Sequence, residues 1–406
     1  MRSEKAIVIV TALAVVFAGY LFWTPPKRGA SRTSANVGAS SGASGPQVLW
    51  RFQTEKNSVS SVTLGSGAAI YAGTYNAIYS ISADGKQIWK TPMAGQLYTS
   101  AASNGELYVA SSHGFVFGVS ADGKPNWDPR MGLIGFGGPP AIASNDIVIV
   151  ANTVSDIYAF QPAQSTAATW SQSTFREGII SANAAMPGTA TTSTMPSKNS
   201  PAVWRDETIV LSRQHWLHYF NPDGTPGWFN ELTPGALGQI ALADDGMIYV
   251  TDDQGMLFAV DRRGNLKWQF DAKEMPYGSP VVGIDGTIYF TTYSAVHALS
   301  SDGTVKWETN APQGVSTSPT LAADGTIYVG GRDGLFGMRA DGSLKFSLHT
   351  MNATGAPNIG SDGTIYFACG YMWVCAVHDE GSPLMRSAWP KTFHDPGNTG
   401  HSLTKF

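Results

Sequence analysis

Two cysteines are the residues of this sequence most suited to covalent chemistry. Cys369 and Cys375 are separated by five residues, and no other cysteine is present. If they lie on the two strands of a hairpin, a loop of three or five residues would place them opposite each other, within reach of a disulfide. We therefore predict a disulfide, with two buried thiols as the alternative. A metal site is disfavoured because no second pair of ligands lies nearby.

The acidic residues and histidines form no recognisable catalytic set. The sequence contains no Gly-x-Ser-x-Gly, His-Glu-x-x-His or phosphate-binding loop. His394 and Asp395, near the C-terminus, are predicted to dock a tail by hydrogen bonding rather than to catalyse. We therefore assign no catalytic, cofactor or metal residue and favour a protein that is not an enzyme. Most aspartates sit at turn positions, where local backbone capping explains them: Asp84, Asp122, Asp223, Asp285, Asp302, Asp324, Asp341 and Asp362.

An internal repeat accounts for most of the chain. The clearest copies are Ser279-Pro-Val-Val-Gly-Ile-Asp-Gly-Thr-Ile-Tyr289 and Ser318-Pro-Thr-Leu-Ala-Ala-Asp-Gly-Thr-Ile-Tyr328. Their spacing of about 40 residues is typical of a propeller blade, although one interval is about 60. Aligning the strand aromatic, or the valine that replaces it, gives eight copies, at Tyr71, Tyr108, Val148, Val210, Tyr249, Tyr289, Tyr328 and Tyr366.

Each copy resolves into four short strands, A to D. Strand A follows the Ser-Pro pair, strand B carries Gly-Thr-Ile-Tyr, strand C is a short apolar run, and strand D carries an aromatic such as Trp268. Asp-Gly pairs join A to B and C to D, and such pairs predict two-residue type I′ hairpins. We therefore predict an all-β, eight-bladed β-propeller of four-stranded antiparallel blades, with seven blades or a distorted ring as the alternative. The strand D tryptophans recur once per blade, which indicates packing between blades rather than cofactor stacking.

The predicted ring is closed by the N-terminal end of the repeat region. The eighth copy, which ends at Val377, lacks a convincing strand D, whereas Val48-Leu-Trp50-Arg-Phe52 resembles a strand D that precedes any strand A. The N-terminal segment can therefore supply the outer strand of the last blade and remove an open sheet edge.

The first residues predict a membrane attachment. Residues 6–23 carry no charge and as a helix would reach about 27 Å, enough for a thin bilayer. We favour an uncleaved transmembrane helix over a cleaved signal peptide, because no persuasive cleavage site follows Trp23. Residues 1–5 form a short flank, 24–46 a flexible Ser/Gly/Ala/Pro linker, 47–385 the propeller and 386–406 a docked tail. The propeller is expected outside the cytoplasm, in a bacterial periplasm or at the cell surface.

The repeat resembles the pyrroloquinoline-quinone-like (PQQ-like) propeller repeat family. The Asp-Gly-Thr-Ile-Tyr pattern carries the resemblance. The tail from Trp389-Pro to Thr399-Gly400 is similar to the Trp-Pro-x-Phe-x-His-Asp-x-x-x-Thr-Gly tail of many bacterial members, with slightly different spacing. The resemblance covers roughly residues 47–402. It implies the propeller fold, but it is shared by quinone-dependent dehydrogenases and by non-catalytic relatives such as the propeller lipoprotein of the barrel-assembly machinery.

For a dehydrogenase, the resemblance implies PQQ near the axis, a Ca²⁺ held by Glu and Asn oxygens, and an Asp base. Many such enzymes also carry two adjacent cysteines, which this chain lacks. The acids here sit at repeated turns rather than in the cluster that Ca²⁺ requires. We therefore predict no cofactor and keep a PQQ-dependent or other propeller oxidoreductase as the alternative.

The loops that join strands B and C differ from blade to blade, so the repeat does not explain their residues. Loops on a rigid scaffold often carry binding, and aromatic and arginine tips suit a protein interface. We predict a protein-binding or scaffolding module with protein partners at the cell envelope; cell-surface carbohydrate binding is a further alternative. A net charge of −4 argues against nucleic acid. The candidate tips are Tyr75, His113, Asp156, His215, Asp253, Tyr293, Arg332, Asp333 and Tyr371.

One inter-blade connection is longer than the others. The stretch from Trp170 to Ser200 is 19 residues longer than the matching stretch in most copies. This insertion, within residues 176–199, is predicted to overhang the face that carries the B–C loops. A partial lid, a partner contact and neutral decoration all remain open for it.

Overall fold

The computed structural model describes residues 45–55, 57–127, 135–144, 146–153, 156–162, 168–173, 200–311, 314–379, 382–395 and 398–402. The predicted membrane helix at 6–23, nearly all of the linker and the insertion at 176–199 lie outside these residues. In the described part of the chain, no helix is both long enough and apolar enough to span a bilayer.

The described residues form eight four-stranded antiparallel sheets, one for each predicted blade. Each sheet follows the order A-B-C-D, and its bounds match the repeat. A short 3₁₀ turn, Ser66–Ala68, interrupts the first A–B connection. The strands are, in blade 1, β2 (Val59–Leu64), β3 (Ile70–Thr74), β4 (Ala77–Ile81) and β5 (Gln87–Pro92); in blade 2, β6 (Leu97–Ala101), β7 (Leu107–Ser111), β8 (Val116–Val119) and β9 (Pro125–Trp127); in blade 3, β10 (Ala141–Ile142), β11 (Val148–Ala151), β12 (Asp156–Phe160) and β13 (Ala168–Ser173); in blade 4, β14 (Ala202–Val203), β15 (Ile209–Arg213), β16 (Trp216–Phe220) and β17 (Pro226–Glu231); in blade 5, β18 (Leu237–Leu242), β19 (Ile248–Asp252), β20 (Met256–Val260) and β21 (Leu266–Asp271); in blade 6, β22 (Val281–Val282), β23 (Ile288–Thr291), β24 (Ala295–Leu299) and β25 (Val305–Asn310); in blade 7, β26 (Thr320–Leu321), β27 (Ile327–Gly331), β28 (Gly334–Met338) and β29 (Leu344–His349); and in blade 8, β30 (Asn358–Ile359), β31 (Ile365–Cys369), β32 (Trp373–His378) and β1 (Gln47–Gln53).

The closing strand confirms the predicted ring closure. β1 takes the outer position of blade 8 and pairs antiparallel with β32, so that Gln47 lies opposite His378 and Phe52 opposite Val374. β1 is the first strand of the described residues, and it completes the last blade. It is both the strand D that the eighth copy lacks and the extra strand that precedes the first copy.

Burial explains why strands B and D differ in composition. Strand B lies inside each sheet and between neighbouring blades, and β19 and β27 are buried along their whole length. Strand D lies at the outer rim, and β21 alternates between exposed and half-buried residues. Strand B therefore begins with a run of apolar residues, whereas strand D shows the alternation of a sheet edge with one solvated face.

The turns differ from the predicted two-residue type I′ hairpins. In the C–D turn of blade 1, Gly85 has φ +82 but Asp84 is not in the positive-φ region. Gly85 N donates to Ser82 O and Ser82 N donates to Lys86 O, and the ladder shifts register beside the turn. This is a three-residue turn closed by a glycine bulge. The Asp84 carboxylate accepts from Ser82 Oγ and pairs with Lys86, whereas Asp302, at the same place in blade 6, accepts from Thr304 N.

The strand D tryptophans pack against the next blade, as predicted. The Trp268 indole N–H donates to Ser301 O in the C–D turn of blade 6, at 2.8 Å. A Cβ added to Gly303 of the same turn would lie 2.8 Å from Trp268 Cδ2. The glycine therefore both provides the positive φ and leaves room for the neighbouring indole. The same indole-to-carbonyl bond is made by Trp50, Trp89, Trp228 and Trp307.

Candidate interaction face

The two ends of the disc carry different connections. Because strands alternate in direction within each antiparallel blade, the B–C and D–A connections emerge on one face, here called the loop face. The A–B and C–D turns emerge on the other, here called the turn face. The predicted tips therefore belong to one surface, whereas the Asp-Gly turns belong to the opposite one.

The loop face carries exposed aromatic and arginine side chains. Tyr75, Tyr293 and Tyr371 expose 49%, 38% and 62% of their surface. Tyr75 meets His113 edge-on, with ring centroids 6.2 Å apart, and the Arg332 guanidinium lies 5.1 Å from the centre of the Tyr293 ring. These residues belong to blades 6, 7, 8, 1 and 2, which are consecutive around the ring.

A further tyrosine in this region was not predicted. Tyr277 lies in the D–A connection before blade 6, is 37% exposed, and has its ring centroid 6.4 Å from that of Tyr293. It was missed because only B–C tips were compared, although D–A connections share the loop face. Together these side chains form what we call the aromatic arc: Tyr75, His113, Tyr277, Tyr293, Arg332 and Tyr371.

Two candidate tips outside the aromatic arc, Asp253 and His215, use their polar side-chain atoms within the fold. Asp253 Oδ1 accepts from Ala236 N at 2.9 Å and from the Gln254 side chain at 3.0 Å. His215 Nδ1 lies 3.0 Å from Gly235 O. Asp333 is exposed beside Arg332. Asp253 and His215 thus contribute to local structure, whereas Asp333 is exposed.

Asp156 is not a loop tip, contrary to the prediction. It is the first residue of β12 and pairs with Ser173 in the ladder. Its Oδ2 accepts from the Asn152 side chain at 3.0 Å and from the Tyr158 hydroxyl at 3.1 Å. The carboxylate thereby stabilises the start of the strand. The B–C loop of this blade is one residue shorter at that end than the repeat alignment indicated.

The two cysteines form a disulfide below one of the arc residues. Cys369 and Cys375 are bonded, with a Cα–Cα distance of 6.0 Å, and both are fully buried. They are not directly opposite each other, because Cys369 pairs with Trp373 and Cys375 with Phe367. The bond therefore crosses the hairpin diagonally, beneath a three-residue loop with Tyr371 at its apex.

On the turn face, the C-terminal tail covers the inner ends of the blades. Trp389 O accepts from Val282 N in blade 6, Thr399 O from Ile142 N in blade 3, and Gly400 O from Val203 N in blade 4. Further bonds reach blade 7 through Pro383 O, blade 2 through Asn398 O and blade 1 through the Asn398 side chain. The tail thus contacts the strand A region of six blades and closes the axis from this side.

Buried ionisable groups hold the tail together. Lys391 Nζ donates to Thr392 O, Asp395 O and Asn398 Oδ1 at 2.7, 3.0 and 2.7 Å. Burial lowers the pKa of Lys391 to about 7, and the Asp395 charge opposes that shift. Burial alone would raise the pKa of Asp395, but His394 and Thr399 hold it below its ordinary value. These contacts lie within the tail itself, so the docking role of His394 and Asp395 stays a prediction.

A cleft of about 390 Å³ lies on the turn face between blades 4 and 5. Its wall contains Trp204, with the Arg262 guanidinium 4.9 Å from the ring centre. Arg262 is also paired with Asp206, and Arg205 with Asp244. The sequence held a signal for this cleft, because the position of Trp204 after strand A is Gly or Ala in the other blades. The charged side chains of the cleft are largely paired with one another, so they connect blades 4 and 5.

No cluster of three or more His, Cys, Asp or Glu side chains that could hold a metal ion occurs among the residues described above. The conspicuous aspartates lie at separate turns, and six of them accept a hydrogen bond from the backbone N–H two residues on: Asp223, Asp285, Asp302, Asp324, Asp341 and Asp362. The loop face, by contrast, carries the partly exposed rings of the aromatic arc.

Comparison with known proteins identifies the repeat. Residues 33–185, 167–279 and 260–384 match the model of a PQQ-like repeat family described as "Outer membrane protein assembly factor BamB". The chain belongs to this family. The resemblance inferred from the Asp-Gly-Thr-Ile-Tyr pattern is therefore confirmed, and the match covers nearly all of the predicted propeller. No curated protein matches the sequence.

Solved structures show the same fold at low sequence identity. BamB from Moraxella catarrhalis is 14% identical, with a TM-score of 0.66 over 82% of this chain and 99% of that one. A computationally designed protein, Ika8, is 12% identical, with a TM-score of 0.64 and the same coverage. Because a natural assembly factor and a designed protein match about equally well, the likeness establishes the BamB-like propeller fold alone.

Proposed function

We propose that this BamB-family chain is a non-enzymatic, protein-binding scaffold of the cell envelope that engages its partners through the loop face. The observation that carries the proposal is the aromatic arc, a set of exposed aromatic and arginine side chains at positions that the repeat leaves free. Tyrosine and arginine are enriched among the residues that dominate binding energy at protein interfaces. Family membership supports a role in outer membrane protein assembly.

The two faces support this choice of surface. The tail occupies the inner part of the turn face, and the charged side chains of its cleft are largely paired with one another. On the loop face, the rings of Tyr75 and Tyr293 stand partly in solvent on rigid blades. Rigid presentation lowers the entropy lost on binding, so the loop face is better suited to a stable protein contact.

The proposed location is outside the cytoplasm, with the propeller tethered through its N-terminal segment. A buried disulfide that uses both cysteines supports an oxidising compartment. β1 begins at the turn face, since Gln47 lies opposite the last residue of β32.

Affinity capture from cell envelopes tests the proposal. The full chain is compared with Tyr293→Ala and Arg332→Ala on the loop face and with Ile284→Ala on the turn face. Ile284 is 75% exposed and serves as the matched control. We expect a defined partner set with the wild type and the control, and its reduction with the loop-face variants. If all four proteins captured the same partners, or if the wild type captured none, the loop face would be excluded as the binding surface.

A further inference from the structure

The cleft between blades 4 and 5 departs from the repeat at residues that line it. Arg263 lines the cleft and precedes Gly264, the positive-φ glycine of its C–D turn. In five other C–D turns the residue before this glycine is an aspartate, so blade 5 reverses the charge: Asp84, Asp122, Asp223, Asp302 and Asp341. Trp204 stands where the other blades have Gly or Ala. The requirements of the repeat therefore explain neither Arg263 nor Trp204.

The turn that carries Arg263 does not use its side chain. Asp261 Oδ1 accepts from Arg263 N at 2.9 Å and from Asn265 N at 2.8 Å, and the same carboxylate pairs with Lys267. Asp261 thus caps the turn in place of the missing aspartate. The Arg263 side chain is exposed and has no ion pair across the described residues. Its guanidinium is therefore available to a ligand.

The other acidic side chains of the cleft already have donors. Arg262 pairs with Asp206, and Arg205 Nη2 lies 2.6 Å from Asp244 Oδ1. Asp245 Oδ1 accepts from a backbone N–H at 3.0 Å. A cation that entered the cleft would have to compete with these contacts, so the wall is poorly suited to a positively charged ligand.

The polar groups that the fold leaves without a partner in the cleft wall are donors. Trp204 is 5% exposed and Ser402, in the tail, is 8% exposed. Within the described part of the chain, neither the Trp204 indole N–H nor the Ser402 hydroxyl has a hydrogen-bond partner. Buried polar groups normally have one. Because an indole N–H and a guanidinium can only donate, the wall lacks an acceptor.

We propose that this cleft binds a small anionic molecule through an oxyanion group, a carboxylate or a phosphate. Such a group supplies acceptors for the Trp204 N–H and the Ser402 hydroxyl, and the planar guanidinium of Arg263 can bind it in bidentate fashion. The cleft volume of about 390 Å³ lies within the range of small-molecule sites. The inference does not depend on the proposed function, because the loop face lies at the opposite end of the disc.

Titration of the full chain with inorganic phosphate and with citrate tests this site, at constant ionic strength in chloride. Calorimetry measures the affinity. NMR of the nitrogen-15-labelled protein follows the indole N–H resonance of Trp204, which is assigned with Trp204→Phe. Arg263→Gln removes the available guanidinium. Arg339→Gln is the matched control, because Arg339 is an exposed arginine in the C–D turn of blade 7.

We expect at least one probe to bind saturably, in the millimolar range or tighter, and to shift the Trp204 N–H resonance. Arg263→Gln should weaken this binding about tenfold or more, whereas Arg339→Gln should stay within about twofold of the wild type. Because the Arg263 side chain is exposed and unpaired, Arg263→Gln should keep the wild-type melting temperature. Weaker binding would then reflect the lost guanidinium rather than unfolding.

The two probes distinguish the sources of the oxyanion. Tighter binding of phosphate would identify a phosphate ligand, and tighter binding of citrate a carboxylate ligand. Absence of saturable binding for both probes would overturn the proposal, as would a Trp204 resonance that does not shift. Equal affinities of Arg263→Gln and Arg339→Gln would assign any binding to general surface charge and would also overturn it. None of these results affects partner capture through the loop face.

Discussion

The turn face and the loop face are built by the same repeat, yet their side chains have different relations to the fold. On the turn face, aspartates cap turns, glycines receive indoles from the preceding blade, and the tail bonds to strand A regions around the ring. On the loop face, Tyr75 is 49% exposed and meets His113 edge-on, and Tyr293 is 38% exposed beside the Arg332 guanidinium. Side chains that serve folding and side chains free for binding are thus separated by face.

The difference follows from the geometry of the connections. Most A–B and C–D turns contain a residue with positive φ, and many also contain an aspartate that caps the backbone, although the first A–B connection has no carboxylate. The B–C hairpins have two to four residues and the D–A connections four or more, and neither carries a turn sequence shared by the blades. The repeat therefore restricts residue choice on the turn face and permits variation on the loop face. Substitutions on the turn face should therefore mainly lower stability, whereas substitutions on the loop face should mainly weaken binding.

Removal of the tail should have the largest effect on stability. Deleting residues 383–406 leaves strand A groups on six blades without partners. With roughly 1 kcal/mol for each hydrogen bond, we expect a loss on the order of 5 kcal/mol or more. Urea denaturation followed by circular dichroism measures it. An unchanged unfolding midpoint would show that the tail merely rests on the turn face.

Replacement of the buried tail carboxylate comes next. Asp395→Asn removes the charge near Lys391 and weakens the bonds from Thr399. Hydrogen bonds to a buried charged group contribute about 1.5–3 kcal/mol each, so we expect a loss of this order. Because partners hold the pKa of Asp395 below its ordinary value, its contribution is present above about pH 4 and is lost at lower pH.

The pH dependence supplies the control for this substitution. The difference in unfolding free energy between the wild type and Asp395→Asn should shrink as the pH falls from 5 towards 2. Asp302→Asn, at an exposed turn cap, should change stability much less at every pH. A difference that stays constant with pH would contradict a charge-based role for Asp395.

The third prediction separates turn conformation from indole packing. Gly286 and Gly303 have φ +77 and +87, but an added Cβ would meet nothing within 4 Å at Gly286 and the Trp268 ring at Gly303. Gly286→Ala should cost about 1 kcal/mol from backbone strain alone. Gly303→Ala should cost about 2–3 kcal/mol, because the indole must also move. Equal losses would show that packing on the turn face is more tolerant than these distances indicate.

The smallest stability effect is expected in the aromatic arc. Tyr293→Ala and Arg332→Ala remove exposed side chains, so each should change the free energy of unfolding by less than about 0.5 kcal/mol. Both should still weaken partner binding in the capture experiment. A large stability loss would mean that these residues belong to the fold, and the contrast between the two faces would then be wrong.

Much of the fold could be predicted because its signals are local and repeated. The period, the apolar strand B and the Trp268-type aromatics recur in nearly every copy, so errors in one copy are corrected by the others. The closing role of the strand around Trp50 could be predicted because the last copy lacks a strand D, whereas an extra strand D precedes the first copy. The disulfide in the structure joins the two cysteines that the sequence paired.

Other features could not be predicted because they depend on groups distant in the chain. The Asp-Gly pairs were assigned type I′ turns, but capping by the aspartate and the indole of the preceding blade select a glycine bulge. Asp156 aligned with loop tips, yet its bonds to Asn152 and Tyr158 make it the first residue of a strand. Tyr277 could not be assigned to the aromatic arc from the B–C tips, because it lies in a D–A connection.

The repeat unit, the number of blades and the strand that closes the ring follow from the amino-acid sequence, because they depend on periodic burial and on turns between neighbours in the chain. The exposure of individual side chains depends on the folded ring. Ring closure brings residue 399 beside residue 142 on the turn face and residue 371 beside residue 59 on the loop face. The first contact belongs to the tail that covers the inner part of the turn face, whereas the second holds a loop whose tyrosine stays exposed. Exposure depends on what the rest of the chain covers, which no local pattern records.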